Sequence, residues 1–136
     1  MPARGRVSFM KLIGTGENLF PAGKVSGPLR RLESPQQVLE LLDEEGPEDA
    51  KVIALTRFAG STFLSPVMDK IAGIITSTGT RKGHLAIVAR ELELPCILGA
   101  TIEECSDGCV VLLDCDDEKS ASIYLISEPE PKPATD

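Results

Sequence analysis

Histidine is scarce in this sequence: His84 is the only one among 136 residues. Acid–base chemistry therefore has few actors, and zinc sites built from several imidazoles are excluded. Long apolar runs are lacking too. Stretches such as Val110–Leu113 and Ile71–Ile75 are far too short to span a bilayer, so no membrane partner is expected. Arg4, Arg6 and Lys11 are followed by no apolar block, so no signal peptide is visible and a cytoplasmic address follows. A Ser/His/Asp set, paired carboxylates at a defined spacing, a Walker-type loop and internal repeats are all absent.

Cations are outnumbered. Fourteen Lys and Arg against 21 Asp and Glu leave a net charge of −7, which argues against nucleic acid as the main partner, because phosphate backbones need a basic face. The imbalance is segregated, with residues 1–33 at +4 and residues 103–136 at −8. Hydrophobic residues at 42% and charged residues at 26% are ordinary for a globular domain. The length suits one domain, read as residues 1–126. Residues 127–136, with Pro129, Pro131 and Pro133 among acidic side chains, read as a disordered tail. Together with Met1, that tail reads as the end of an intact product.

Cys96, Cys105, Cys109 and Cys115 are even in number, but their spacing fits no common zinc pattern. Without a secretion signal they read as thiols, with Cys96 in the core, and no metal site is expected.

Hydrophobic patterning divides the chain into alternating strands and helices. Val7–Ile13 reads as a first strand ended by Gly14 and Gly16, and Asn18–Pro28 as a turn-rich connection. Ser34, Pro35 and Gln37 form a helix start, with a cap, a proline in the first turn and a capping-box partner. Lys51–Leu55 and Ala72–Ser77 read as strands, with a short helix near Ser65–Lys70 between them. His84–Glu93 is helical in pattern, placing Leu85, Val88, Ala89 and Leu92 on one face. Cys96–Leu98 opens a strand before Gly99, and Cys109–Leu113 with Ser122–Ile126 closes the chain as a hairpin. The alternation predicts an α/β class, a mixed sheet with flanking helices.

The chemistry concentrates between Ala72 and Ala100, where strand, glycine-containing loop, helix and strand follow one another. His84 stands where the loop becomes the helix. Helix N-termini expose unpaired amides and a partial positive charge, which attract an anion. An imidazole there has a ring nitrogen able to attack a phosphoryl group. Gly79 and Gly83 let the backbone bend close to a phosphate, Thr80 offers a hydroxyl, and Arg81 and Lys82 add cations. Taken from these residues alone, the stretch suits phosphoryl or anion binding, or simply a solvent-facing first turn.

The sequence Ala72-Gly73-Ile74-Ile75-Thr76, then Gly79, His84 and Ala86-Ile87-Val88-Ala89-Arg90-Glu91-Leu92, with Pro95 and Gly99 beyond, resembles the phosphohistidine swivelling (mobile) domain of the phosphoenolpyruvate-utilising enzymes. Lys51–Leu55, Ser65-Pro66-Val67-Met68 and Asp107-Gly108 add to the resemblance. The family loop reads Gly-Gly-x-Thr-Ser-His; here Thr80 stands for the second glycine and Lys82-Gly83 for the Thr-Ser pair.

The resemblance implies a swivelling β/β/α phosphohistidine domain whose His84 is phosphorylated at one site and delivers the group at another, with residues 79–83 as the phosphate cradle. It implies no cofactor bound by this domain. Mg and ATP or phosphoenolpyruvate belong on partner subunits, an ATP-grasp nucleotide-binding subunit and/or a phosphoenolpyruvate/pyruvate-binding subunit. Neither fits in 136 residues, so the chain reads as a phosphocarrier working with separate chains. The altered loop also admits a non-catalytic binding or regulatory protein of the same fold.

Overall fold

The computed structural model describes residues 10–44, 51–57, 65–78, 83–103 and 108–127. Among the described residues seven strands form one closed barrel. They are β1 (Lys11–Asn18), β2 (Gly23–Arg31), β3 (Val52–Thr56), β4 (Ile71–Thr76), β5 (Cys96–Ile102), β6 (Val110–Cys115) and β7 (Ser120–Ser127). Around the barrel they run β1-β5-β4-β3-β2-β6-β7, returning to β1. Neighbours from β2 through β3 and β4 to β5 are parallel, and all others are antiparallel. Two α-helices, α1 (Pro35–Asp43) and α2 (His84–Glu91), and a 3-10 helix (Ser65–Lys70) supply the crossovers. Among the described residues no helix is long and apolar enough to cross a membrane.

The two halves of the barrel bury different amounts of surface. Parallel strands are covered on both faces, so β3 is buried at every position. Ile53, Leu55 and Ile75 point into the barrel with Ile97, Leu113 and Ile123. Val52, Ala54, Ile71 and Ile74 pack outward against Val38 and Leu41 of α1 and Leu85, Ala86 and Ala89 of α2. The antiparallel strands alternate instead: in β6, Val111, Leu113 and Cys115 are buried between partly exposed neighbours.

The start of α1 follows the sequence rule. Ser34 caps it by accepting from the Gln37 amide at 3.2 Å, with Pro35 in the first turn. Gln37 accepts from the Glu33 amide at 2.6 Å, one residue earlier than a standard capping box. At the other end Lys70 donates to the carbonyls of Leu41, Leu42 and Glu44 at 3.1, 3.3 and 3.1 Å, the Leu41 carbonyl also accepting from the Glu44 amide at 3.2 Å. Between β6 and β7 the Asp117 carboxylate accepts from the Lys119 and Ser120 amides, which hold its carboxyl below the ordinary range.

The expected α/β class, a swivelling β/β/α domain with helices flanking a mixed sheet, is corrected to a closed mixed barrel carrying two short helices. Strand β2 makes the difference. Its glycines and Pro28 read as a turn, yet Gly23 to Pro28 pair antiparallel with β6, and Leu29 to Arg31 pair parallel with β3. Without it the sheet would stay open between β3 and β6. Pro28 is tolerated because it lies just before the ladder with β3 begins, so its missing amide breaks no bond there. The first strand is corrected as well: it continues past Gly14 and Gly16 to Asn18, its pairing shifting register between Leu12 and Gly14 against β7 and between Thr15 and Glu17 against β5. On α2, Leu92 is exposed rather than part of the buried face, and Ala86 takes its place. Residues 1–9, 45–50 and the 128–136 part of the tail lie outside the described residues.

Candidate functional site

The site grows from the ends of two buried parallel strands. Thr56 closes β3 and Thr76 closes β4, paired in register and both fully buried. A buried hydroxyl needs a partner, and the Thr76 hydroxyl finds two. It donates to the Thr78 carbonyl at 3.1 Å and accepts from the Thr78 amide at 3.3 Å. The Thr78 hydroxyl in turn donates to the Arg57 carbonyl at 2.6 Å, and the Ser77 amide donates to the Thr56 carbonyl at 3.3 Å. These bonds pin the chain leaving β4 to the end of β3. Arg57 is exposed at that end, its guanidinium donating to Glu33 at 3.2 and 3.5 Å.

Gly79, Thr80, Arg81 and Lys82 lie outside the described residues. Description resumes at Gly83, which takes the N-cap position of α2 in extended conformation (φ −74°, ψ 167°). Its carbonyl accepts from the Ile87 amide at 3.1 Å, and no side chain caps the first turn. Leu85, Ala86 and Ala89 anchor the helix in the core, which turns His84 outward, exposed to solvent. The ring therefore sits at the positive end of a helix, open to an approaching molecule.

Thr76, Thr78 and Arg57 were not among the residues that the sequence reading assigned to the site. Their signal was present: a threonine ends each of two apolar runs, V-I-A-L-T and G-I-I-T.

Arg90 lies at the far end of α2 from His84. It is exposed and borders an open cleft of about 780 Å³ with Phe20, Pro21 and Lys119. Cys96, Cys109 and Cys115 are buried free thiols. Burial pushes Cys96 and Cys115 up to about 12. Such thiols are protonated and poor nucleophiles near neutrality. Among the described residues no group of three or more His, Cys, Asp and Glu side chains could hold a metal ion.

A strand whose exit is pinned at Ser77 and Thr78, and a helix headed by an exposed histidine, lie within one span of sequence. The chain belongs to the family described as PEP-utilising enzyme, mobile domain, whose model matches residues 49–118, slightly more than half of the sequence. It is 38% identical over 61 residues to the phosphoenolpyruvate synthase of Aquifex aeolicus, covering 43% of this chain and 7% of that one. It is 32% identical over 77 residues to the phosphoenolpyruvate-protein phosphotransferase of Haloferax volcanii, covering 55% of this chain and 14% of that one. This chain therefore matches only a small part of each of these curated relatives. Among solved structures, Thermococcus kodakaraensis aconitase X in its holo form superposes with a TM-score of 0.49 at 21% identity, covering 84% of this chain and 96% of that one.

Proposed function

We propose that this protein is a phosphoryl carrier component of a phosphoenolpyruvate-utilising phosphotransferase, with His84 as the group that is transiently phosphorylated. The observation that carries the proposal is the position of the single histidine. It is exposed, at the uncapped head of α2, inside the span that matches the family. A ring nitrogen attacks the phosphorus of a donor, and the bond from phosphorus to the leaving oxygen breaks with its electron pair on that oxygen. In the second step an acceptor oxygen takes the phosphorus and the nitrogen recovers its pair. Gly83 supplies backbone close to the transferred group, with Gly79, Thr80, Arg81 and Lys82 completing the cradle. The donor, either ATP or phosphoenolpyruvate with its Mg, sits on a partner subunit of the ATP-grasp or phosphoenolpyruvate/pyruvate-binding kind.

The test is incubation with each type of partner and its donor, followed by intact-mass measurement. One phosphoryl group is expected on the wild type, labile in acid and stable in base, and none on His84→Gln or His84→Ala. An unmodified wild type under every donor, or a modified His84→Gln, overturns the carrier reading. The second reading, a non-catalytic binding or regulatory protein, is favoured by Thr80 and Lys82-Gly83 standing where the family loop has glycine and Thr-Ser.

A further inference from the structure

Strands β2, β3 and β4 pair in parallel, so their carboxyl ends open at one end of the barrel. The head of α2 stands at that end too, because the helix must run back along the barrel to bring Cys96 beside Ile74. Ligands of parallel α/β folds gather outside the carboxyl ends of the strands. Three strand exits lie side by side there: Glu33 follows β2, Arg57 follows β3, and Ser77 and Thr78 follow β4.

Arg57 is fixed at its backbone and loose at its tip. Its carbonyl accepts from the Thr78 hydroxyl at 2.6 Å. That bond holds Arg57 about one strand spacing, ~4.8 Å, from the chain that leads to His84. Its side chain is 68% exposed and meets Glu33 through Nε and Nη2 at 3.2 and 3.5 Å, long for hydrogen bonds. Among the described residues Nη1 has no partner. Exposed pairs of this kind contribute little, so a more highly charged anion can displace the carboxylate. The guanidinium fork matches a phosphate group.

We propose that Arg57 is a specificity-determining residue of the His84 site: it holds the part of a polyphosphate donor that stays behind while His84 takes the transferred phosphoryl group. No bond to Arg57 forms or breaks in the transfer. Position selects the donor. In the strand order α2 joins β4 to β5, whereas Arg57 turns toward β2, so His84 and Arg57 flank the β4 exit. Phosphoenolpyruvate is compact, with its carboxylate close to its phosphorus, and meets one of them; a chain of phosphates spans both. The inference rests on the carrier reading and narrows its choice of donor.

Proton NMR titration of the full chain at low ionic strength tests it. His84 is the only histidine, so its ring C2 proton gives one isolated signal. Inorganic tripolyphosphate is expected to shift that signal. Arg57→Gln should weaken the binding about fivefold, and Arg57→Lys, which keeps the charge, should lose less. Glu33→Gln releases the guanidinium and should tighten binding, whereas a purely structural ion pair would make the Arg57→Gln and Glu33→Gln variants act alike. Any shift produced by phosphoenolpyruvate should be the same in wild type and Arg57→Gln. Lys24→Gln removes the same charge from the opposite barrel end and should change nothing. A wild type that ignores tripolyphosphate overturns the inference. So does an Arg57→Gln variant that binds it as tightly as the wild type, or that loses both probes equally. A wild type that binds tripolyphosphate through Arg57 but gains no phosphoryl group in the mass experiment fails the carrier reading alone.

Discussion

Replacing Gly16 by alanine tests the geometry of the barrel where it departs from local sequence signals. Neither Gly14 nor Gly16 has a positive φ, so backbone conformation does not demand glycine at either place. Contact does. A Cβ on Gly16 would stand 2.5 Å from Ile97 Cγ2, 2.9 Å from the Leu98 carbonyl oxygen and 3.0 Å from Ala100 Cα. The last two are backbone atoms of the neighbouring strand and cannot rotate away. Restoring ordinary contact means moving β1 and β5 apart by about half an ångström, which strains the ladder between them. Overpacking of this kind costs about 1–3 kcal/mol. Alanine recovers about 0.4–1 kcal/mol by restricting the unfolded chain, leaving a net loss of about 1–2 kcal/mol. For a domain of this size that lowers Tm by about 4–8 °C. Urea or thermal unfolding followed by circular dichroism reads it directly. If the glycine merely ended a strand in open loop, alanine would be neutral or stabilising. An unchanged or raised Tm would therefore refute the close seam between β1 and β5.

Three other expectations follow from particular contacts. Lys70→Met removes the ammonium shared by three carbonyls at the end of α1 and should lower stability by about 1–3 kcal/mol, read by chemical denaturation. Ser34→Ala deletes the cap on the Gln37 amide and should cost about 1 kcal/mol in the same assay. Cys96 and Cys115 stay protonated in the fold up to about 12, whereas the unfolded thiols ionise from their ordinary value of 9.0. The folded state thus binds more protons between those values, and stability should fall as pH rises above 9, by about 1 kcal/mol per thiol per pH unit. Unfolding free energies measured at pH 8 and pH 10 check the sign, and a Cys96→Ala, Cys115→Ala double variant should flatten the dependence.

Part of the frame that carries His84 was legible before any coordinates. His84 begins α2 as the pattern of Leu85 and Ala89 required, because burial of those two positions sets the helix phase and leaves His84 outside. Ser34, Pro35 and Gln37 start α1, since capping is settled by side chains within a few residues. The buried thiol Cys96 was likewise readable from its apolar neighbours. The hydroxyl latch of Thr76 and Thr78 onto Arg57 was not, because it depends on β3 and β4 ending side by side.

By itself, then, the sequence determined what short-range physics governs: helix starts, the apolar strands, and a lone imidazole at the head of a helix. Closure was decided only in three dimensions. Gly14, Gly16, Gly27 and Pro28 signal turns to any local rule, yet they lie in strands. Residues distant in the chain, Ala100 against Gly16 and Val110 against Pro28, come close enough there to need small or bent partners. Pairing between distant segments leaves little trace in either one alone, and it is that pairing which turns a sheet with two edges into a barrel with none.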